Sequence, residues 1–136
     1  MNWIKSLSLT PGDQIRVNRN NIYYHHGIYI GDNNVIHFSA SNEDGLLNSK
    51  NVFVRIDSLN TFLKDGELEI ATYSDEELNN LYSKEEIIAR AKASLGESGY
   101  DLFRNNCEHF SNRCAFKTQQ KNQYDEMRER IRKLIK

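Results

Sequence analysis

The chain holds four histidines and two cysteines in 136 residues, and they fall in two separate parts of it. His25, His26 and His37 lie in the first third, whereas Cys107, His109 and Cys114 lie near the end. A thiol beside an imidazole can form an activated nucleophile, the ring taking the proton as sulfur attacks, or the two can ligate a metal. Spacing argues against the metal. There is no Cys-x-x-Cys or His-x-x-x-His pair, and Cys107 and His109 stand two apart in a helical stretch, where their side chains diverge. No metal and no cofactor is therefore expected. Taken singly, each of these residues could serve only the core. Their combination carries the functional reading.

The elements that hold them decide which residues can meet. Tyr23 to Ile30 is rich in aromatic and β-branched residues, Gly31-Asp32-Asn33-Asn34 supplies turn chemistry, and Val35 to Phe38 resumes the strand pattern. Along such a hairpin His25, Gly27 and Tyr29 share one face, while His26, Ile28 and Ile30 share the other. Pairing Ile28 and Ile30 with Ile36 and Phe38 puts His37 on the face of His25, roughly 5 to 8 Å away at Cβ. His26 is left on the opposite face. Gly27 leaves room for a close approach, and the later helix is expected to dock there. Asn106 is a good N-cap, so Cys107 falls in the first turn of that helix, where free amides and the helix dipole favour a thiolate. The expected arrangement is Cys107 as nucleophile, His25 as base and His37 orienting His25, with first-turn amides available to an oxyanion.

The remaining elements form a scaffold around this pair. Thr10-Pro11-Gly12-Asp13 reads as a turn before a strand over Gln14 to Val17, and Asn18 to Asn21 as a loop. Ser39 to Lys50 reads as a polar loop, Val52 to Ile56 as a strand, Ser58 to Lys64 as a short helix stopped by Asp65-Gly66, and Glu67 to Tyr73 as a strand. Ser83 to Glu86 fits a capping box ahead of the stripe Ile87, Ile88, Ala91 and Leu95. Cys107, Phe110, Ser111, Cys114 and Ala115 repeat at helical spacing, as do Tyr124, Met127, Ile131, Leu134 and Ile135. Strands first and helices later predict an α+β domain, an antiparallel sheet with helices packed on it.

Composition bounds the reading further. At 38% hydrophobic and 27% charged residues the chain suits one folded domain, and a net charge of -1 gives no electrostatic drive toward nucleic acid. No apolar run approaches the ~20 residues that span a bilayer, and Met1 to Thr10 lacks a signal-peptide core. A cytoplasmic location is expected. Cys107 and Cys114, about 10.5 Å apart along a helix, are too distant to pair with each other. Lys117 to Lys136 carries seven basic and three acidic residues. Its helix is expected to pack on the domain or on another subunit; the alternative is to lie peripherally on an anionic membrane.

Tyr24-His25-His26-Gly27-Ile28-Tyr29-Ile30-Gly31, then Val35-Ile36-His37-Phe38, and much later Asn106-Cys107-Glu108-His109-Phe110 resemble the lecithin:retinol acyltransferase domain family. That family carries a His strand, a second His twelve residues on and an Asn-Cys-Glu-His-Phe box, and Pro11-Gly12-Asp13 resembles its opening. The resemblance implies a circularly permuted papain-like (NlpC-type) fold over residues 1–118, with 119–136 as a charged helical extension of the same domain. It implies Cys107, His25 and His37 as catalytic residues, with Tyr24, Tyr29 and Asn106 as substrate-binding or supporting ones. It also implies a phospholipid acyl donor, an acyl-Cys107 thioester, and transfer to an amine, an alcohol or water. The same nucleophile would serve a cysteine peptidase or amidase. Relatives that keep the His and Asn-Cys boxes without catalysis make a binding module the third reading. Departures are the charged end in place of a hydrophobic anchor, and Lys117 where the family often has Gly.

Overall fold

In the computed structural model the chain is described over residues 1–40, 51–101, 105–118 and 123–135, with side chains of the last stretch described from Glu129 on. Among these residues six strands make one antiparallel sheet: β1 (Asn2–Lys5), β2 (Gln14–Arg19), β3 (Tyr23–Gly31), β4 (Asn34–Ala40), β5 (Val52–Ser58) and β6 (Leu68–Thr72). Their order across the sheet is β1-β6-β2-β3-β4-β5. The described residues also form five helices: α1 (Leu59–Leu63), α2 (Asp75–Asn80), α3 (Lys84–Ala93), α4 (Cys107–Ala115) and α5 (Gln123–Leu134). This is the α+β architecture that the sequence predicts.

Local chemistry sets the boundaries. The β3–β4 turn passes through Gly31, Asp32 and Asn33 at positive φ, a conformation that Gly, Asp and Asn adopt most readily. Ser58 caps α1 by accepting from the Thr61 N–H, and Lys64 ends it in the left-handed region. At α3 the Ser83 hydroxyl accepts from the Glu86 N–H. Two elements exceed the sequence expectation, for different reasons. β1 is four residues long and exists by pairing with β6. The six-residue α2 buries no side chain and rests on a reciprocal capping box between Ser74 and Glu77.

Both faces of the sheet are covered. On one, Ile28, Ile36, Phe38, Val52 and Val54 pack against Ile87 and Ala91 of α3 and Phe110, Cys114 and Ala115 of α4. On the other, Ile15, Val17, Val35, Leu68 and Ile70 enclose Phe62 of α1. Burying a side chain such as Phe110 or Phe62 contributes about 1.5–3 kcal/mol, so these two layers fix where the helices sit. The element packed at Gly27 is α1, not the cysteine helix: a Cβ there would lie 2.7 Å from Val35 Cγ1 and 2.8 Å from Phe62 Cε1. Strand alternation separates the two faces, but which helix covers which face is a tertiary outcome.

At the C-terminal end, Ile131, Leu134 and Ile135 are exposed, so the described part of α5 does not pack its apolar positions on the domain as expected. The side chains of Tyr124 and Met127, and residues 41–50 of the expected polar loop, lie outside the described residues. Among the described residues no helix is long and apolar enough to cross a membrane.

Candidate active site

β3 and β4 pair with Ile28 opposite Ile36 and Tyr29 opposite Val35, the apolar match expected from the sequence. His37 therefore lies diagonally across from His25 on one face. The rings meet edge to face at 5.0 Å, and Phe62 covers both of them. His25 Nε2 is 2.7 Å from His37 Nδ1, and His37 Nε2 is 2.8 Å from Asp57 Oδ2. Asp57 comes from β5, where it pairs with Val35 and so faces the same side. A line of hydrogen bonds thus crosses three neighbouring strands, His25 to His37 to Asp57.

Burial holds His25 well below the ordinary histidine range, aided by the His37 ring and the Arg19 guanidinium. His37 is also lowered by burial, against the upward pull of its Asp57 bond, while that bond lowers Asp57. The pair is therefore a neutral imidazole on a carboxylate. His25 Nδ1 is buried and has no hydrogen-bond partner among the described residues. A buried ring nitrogen without a partner calls for an explanation.

Cys107 begins α4. Its helix start is held by Asn106, whose side chain accepts from the Glu108 and His109 N–H groups, while His109 Nδ1 accepts from the Asn106 N–H at 3.0 Å. His109 thus completes a capping box, a structural task for the histidine of the Asn-Cys-Glu-His-Phe segment. Among the described residues no group of three or more His, Cys, Asp or Glu is placed to hold a metal ion.

The sulfur lies at a strand edge. Tyr29 bonds through its N–H and C=O to Asp13 and Gly12 on the β2 side, so Tyr24, His26 and Ile28 turn their backbone groups toward β4. The paired register with β4 stops at Ile28, which leaves the Tyr24 carbonyl and His26 N–H to other partners. The Cys107 thiol takes both: it donates toward the Tyr24 oxygen at 3.9 Å, and the His26 N–H points at the sulfur. The nucleophile candidate therefore reaches the backbone flanking His25 through the split between β3 and β4, although its helix packs on the opposite face.

The thiol is not depressed as the helix-terminus argument expects. Burial pushes it up to about 11, outweighing the His26 N–H and the first-turn amides, and the Glu108 carboxylate adds to the rise. At rest the pair is a thiol and a neutral imidazole. Cys114, free and buried two turns along, is pushed to about 12 by burial.

The other expected residues are placed as follows. Tyr24 contributes its carbonyl to the sulfur and stacks its ring under the Arg16 guanidinium at 3.7 Å. The Tyr29 hydroxyl accepts from the Asn33 N–H at the far end of the hairpin. His26 faces away from the relay, edge-on to Trp3 at 5.4 Å. Two residues were missed from sequence. Asp57 is an acid inside a short apolar strand, a signal that gains meaning only once β5 is known to pair with β4. Gln14 is buried, donates from Nε2 to Ser111 Oγ and Asn112 Oδ1 at 3.0 Å each, and accepts from the Tyr73 hydroxyl at 2.8 Å. It clamps α4 to the sheet, and so fixes where Cys107 stands.

The chain is similar to known proteins along most of its length. A family model described as Lecithin retinol acyltransferase matches residues 7–120. The human lecithin retinol acyltransferase is 30% identical over 95% of this chain and 64% of the relative, and the bovine protein is 28% identical over the same shares. Phospholipase A and acyltransferase 1 of Rattus norvegicus is 35% identical over 74% of this chain and 64% of the relative. The chain thus spans 64% of the length of these relatives. With the His strand, the second His and the Asn-Cys helix start all inside the matched residues, this chain belongs to the lecithin retinol acyltransferase family.

Proposed function

We propose that this protein is a thiol-dependent acyltransferase or phospholipase that cleaves a phospholipid acyl ester through an acyl-Cys107 thioester. The observation that carries the reading is the buried His25 Nδ1, without a partner among the described residues, on a ring whose other nitrogen is tied to His37 and whose flanking backbone touches the Cys107 sulfur. A lone pair held there at a cost of about 1–3 kcal/mol has a use if it takes a proton. As sulfur attacks the ester carbonyl carbon, the S–H proton moves to His25 Nδ1 and the carbonyl oxygen gains the negative charge. The Asn106 cap already engages the Glu108 and His109 N–H groups, so the donor at the helix start for that oxyanion is the Cys107 N–H. Collapse breaks the acyl carbon–oxygen bond, and His25 returns its proton to the departing lysophospholipid oxygen. An amine, alcohol or water then gives its proton to His25 as it attacks the thioester, which restores the thiol. Because thiol and imidazole are both neutral at rest, general-base transfer suits this site better than a standing thiolate–imidazolium pair.

The relatives named for phospholipase A and acyltransferase activities support a lipid acyl donor. The end of α5 supports contact with an anionic bilayer. It places Arg132 and Lys133 beside exposed Ile131 and Leu134, so loss of residues 120–136 should weaken binding to anionic vesicles selectively.

The deciding measurement is intact mass after incubation with a short-chain phospholipid and a rapid acid quench. An acyl-mass adduct on Cys107, labile to neutral hydroxylamine, is expected alongside lysophospholipid, and Cys107→Ala should form neither. A folded protein that gains no acyl group and releases no fatty acid from any phospholipid class rejects the lipid reading. Acylation by an activated amide instead would move the assignment to an amidase.

A further inference from the structure

Asp57 lies two rings away from the atom that must accept the thiol proton, yet the hydrogen-bond chain leaves that atom one protonation state. A carboxylate can only accept, so His37 Nε2, at 2.8 Å from Asp57 Oδ2, carries a hydrogen. The neutral His37 ring then has its lone pair on Nδ1. His25 Nε2, 2.7 Å from that lone pair, must be the donor, so it too carries a hydrogen. A neutral His25 is left with its lone pair on Nδ1, the buried nitrogen without a partner among the described residues. Turning the chain round would aim a ring lone pair at a carboxylate and put the His25 hydrogen on Nδ1, where it could accept nothing.

We propose that Asp57 is a positioning residue that sets the tautomers of both imidazoles and thereby keeps His25 Nδ1 free to take the Cys107 proton. This rests on the thiol mechanism above. The carboxylate has a second task during the proton transfer. When His25 Nδ1 gains the proton the ring becomes an imidazolium, its Nε2–H still donating to His37, and the fixed negative charge at Asp57 compensates through the intervening ring. The carboxylate is only 23% exposed and hydrogen bonding to His37 lowers it, so it is charged throughout the neutral range. Its origin also fits the task. β5 pairs with β4 along its length, from Asn34 opposite Ser58 to Ala40 opposite Val52, so Asp57 rides on the strand next to the one that carries His37. The sheet thereby holds acid and ring in register without a flexible loop.

The test uses no lipid. Nitrogen-15 spectra of the wild-type imidazoles at neutral pH should show Nε2–H on both His25 and His37. In Asp57→Asn the amide can offer either oxygen or NH2 to His37, so Nδ1–H forms should appear on both rings. Iodoacetamide labelling of Cys107, followed by peptide mapping, should then slow at least about tenfold. Asp57→Glu, which keeps an acceptor-only group, should restore much of the rate and the wild-type tautomers. A wild-type His25 protonated on Nδ1 overturns the proposal even if the Asn variant does not fold. An unchanged alkylation rate in a folded Asp57→Asn protein overturns it too. Since neither readout involves an acyl group, loss of the lipid reading would leave these results standing, and the reverse.

Discussion

His25 and His26 are adjacent in β3 and equally enclosed, at 4% and 5% exposed, yet they face two different regions of the molecule. Burial lowers both, His26 to about 3 and His25 well below the ordinary value. On the relay side, His25 meets Phe62, His37 and, through them, Asp57. On the helix side, His26 meets the edge of Trp3 and the charge of Arg16, which itself pairs with Glu69. Depressed basicity alone therefore does not distinguish a base from a packing residue. What sets His25 apart is that one ring nitrogen is bonded to His37 while the other is buried with no hydrogen-bond partner among the described residues.

The sharpest way to break this comparison is to remove each ring in turn. His25→Ala should lower turnover about 10²–10⁴-fold with the melting temperature little changed. His26→Ala should keep turnover within several-fold and instead lose about 1–2 kcal/mol of stability as the Trp3 contact empties. Matched activity losses in both variants, with matched melting curves, would show that the two faces have been assigned wrongly.

A smaller effect is expected from Gly27→Ala, between the two histidines and Tyr29. Its Cβ would press on Val35, Phe62 and the His37 Cβ, the last at 3.3 Å, so the relay face has to open. Denaturant unfolding should report a loss of about 1–3 kcal/mol, and turnover should fall with it. If the variant is destabilised but fully active, the relay does not depend on close packing against α1.

The gentlest test is acid titration of stability. His25, His26 and His37 all have folded values below 6.5, so between that pH and their folded values the unfolded chain binds protons that the native one refuses. Their contribution to stability is present above pH 6.5 and is lost as the pH falls, at up to about 1.4 kcal/mol per unit for each ring. His26→Phe should flatten this acid limb down to about pH 3, without a matching change in turnover. An acid limb unaltered by that substitution would show that His26 is solvated in the native state.

Much of the site was legible in the sequence because it is encoded at short range. Strand alternation separates His25 from His26, and the apolar match of Ile28 with Ile36 aligns His37 with His25; neither needs knowledge of the rest of the fold. Asn106 likewise marks a helix start through the oxygen it can offer to two free amides. The tertiary structure alone decided what lies between distant elements. Asp57 became the end of the relay because β5 pairs with β4, and α1 rather than α4 took the space at Gly27. Cys107 kept a raised thiol value because desolvation, a property of everything packed around it, exceeds the effect of its own helix terminus. Periodicity and capping are set by neighbours in the chain and can be read from it; partners across a sheet and the depth of burial are set by how the layers close.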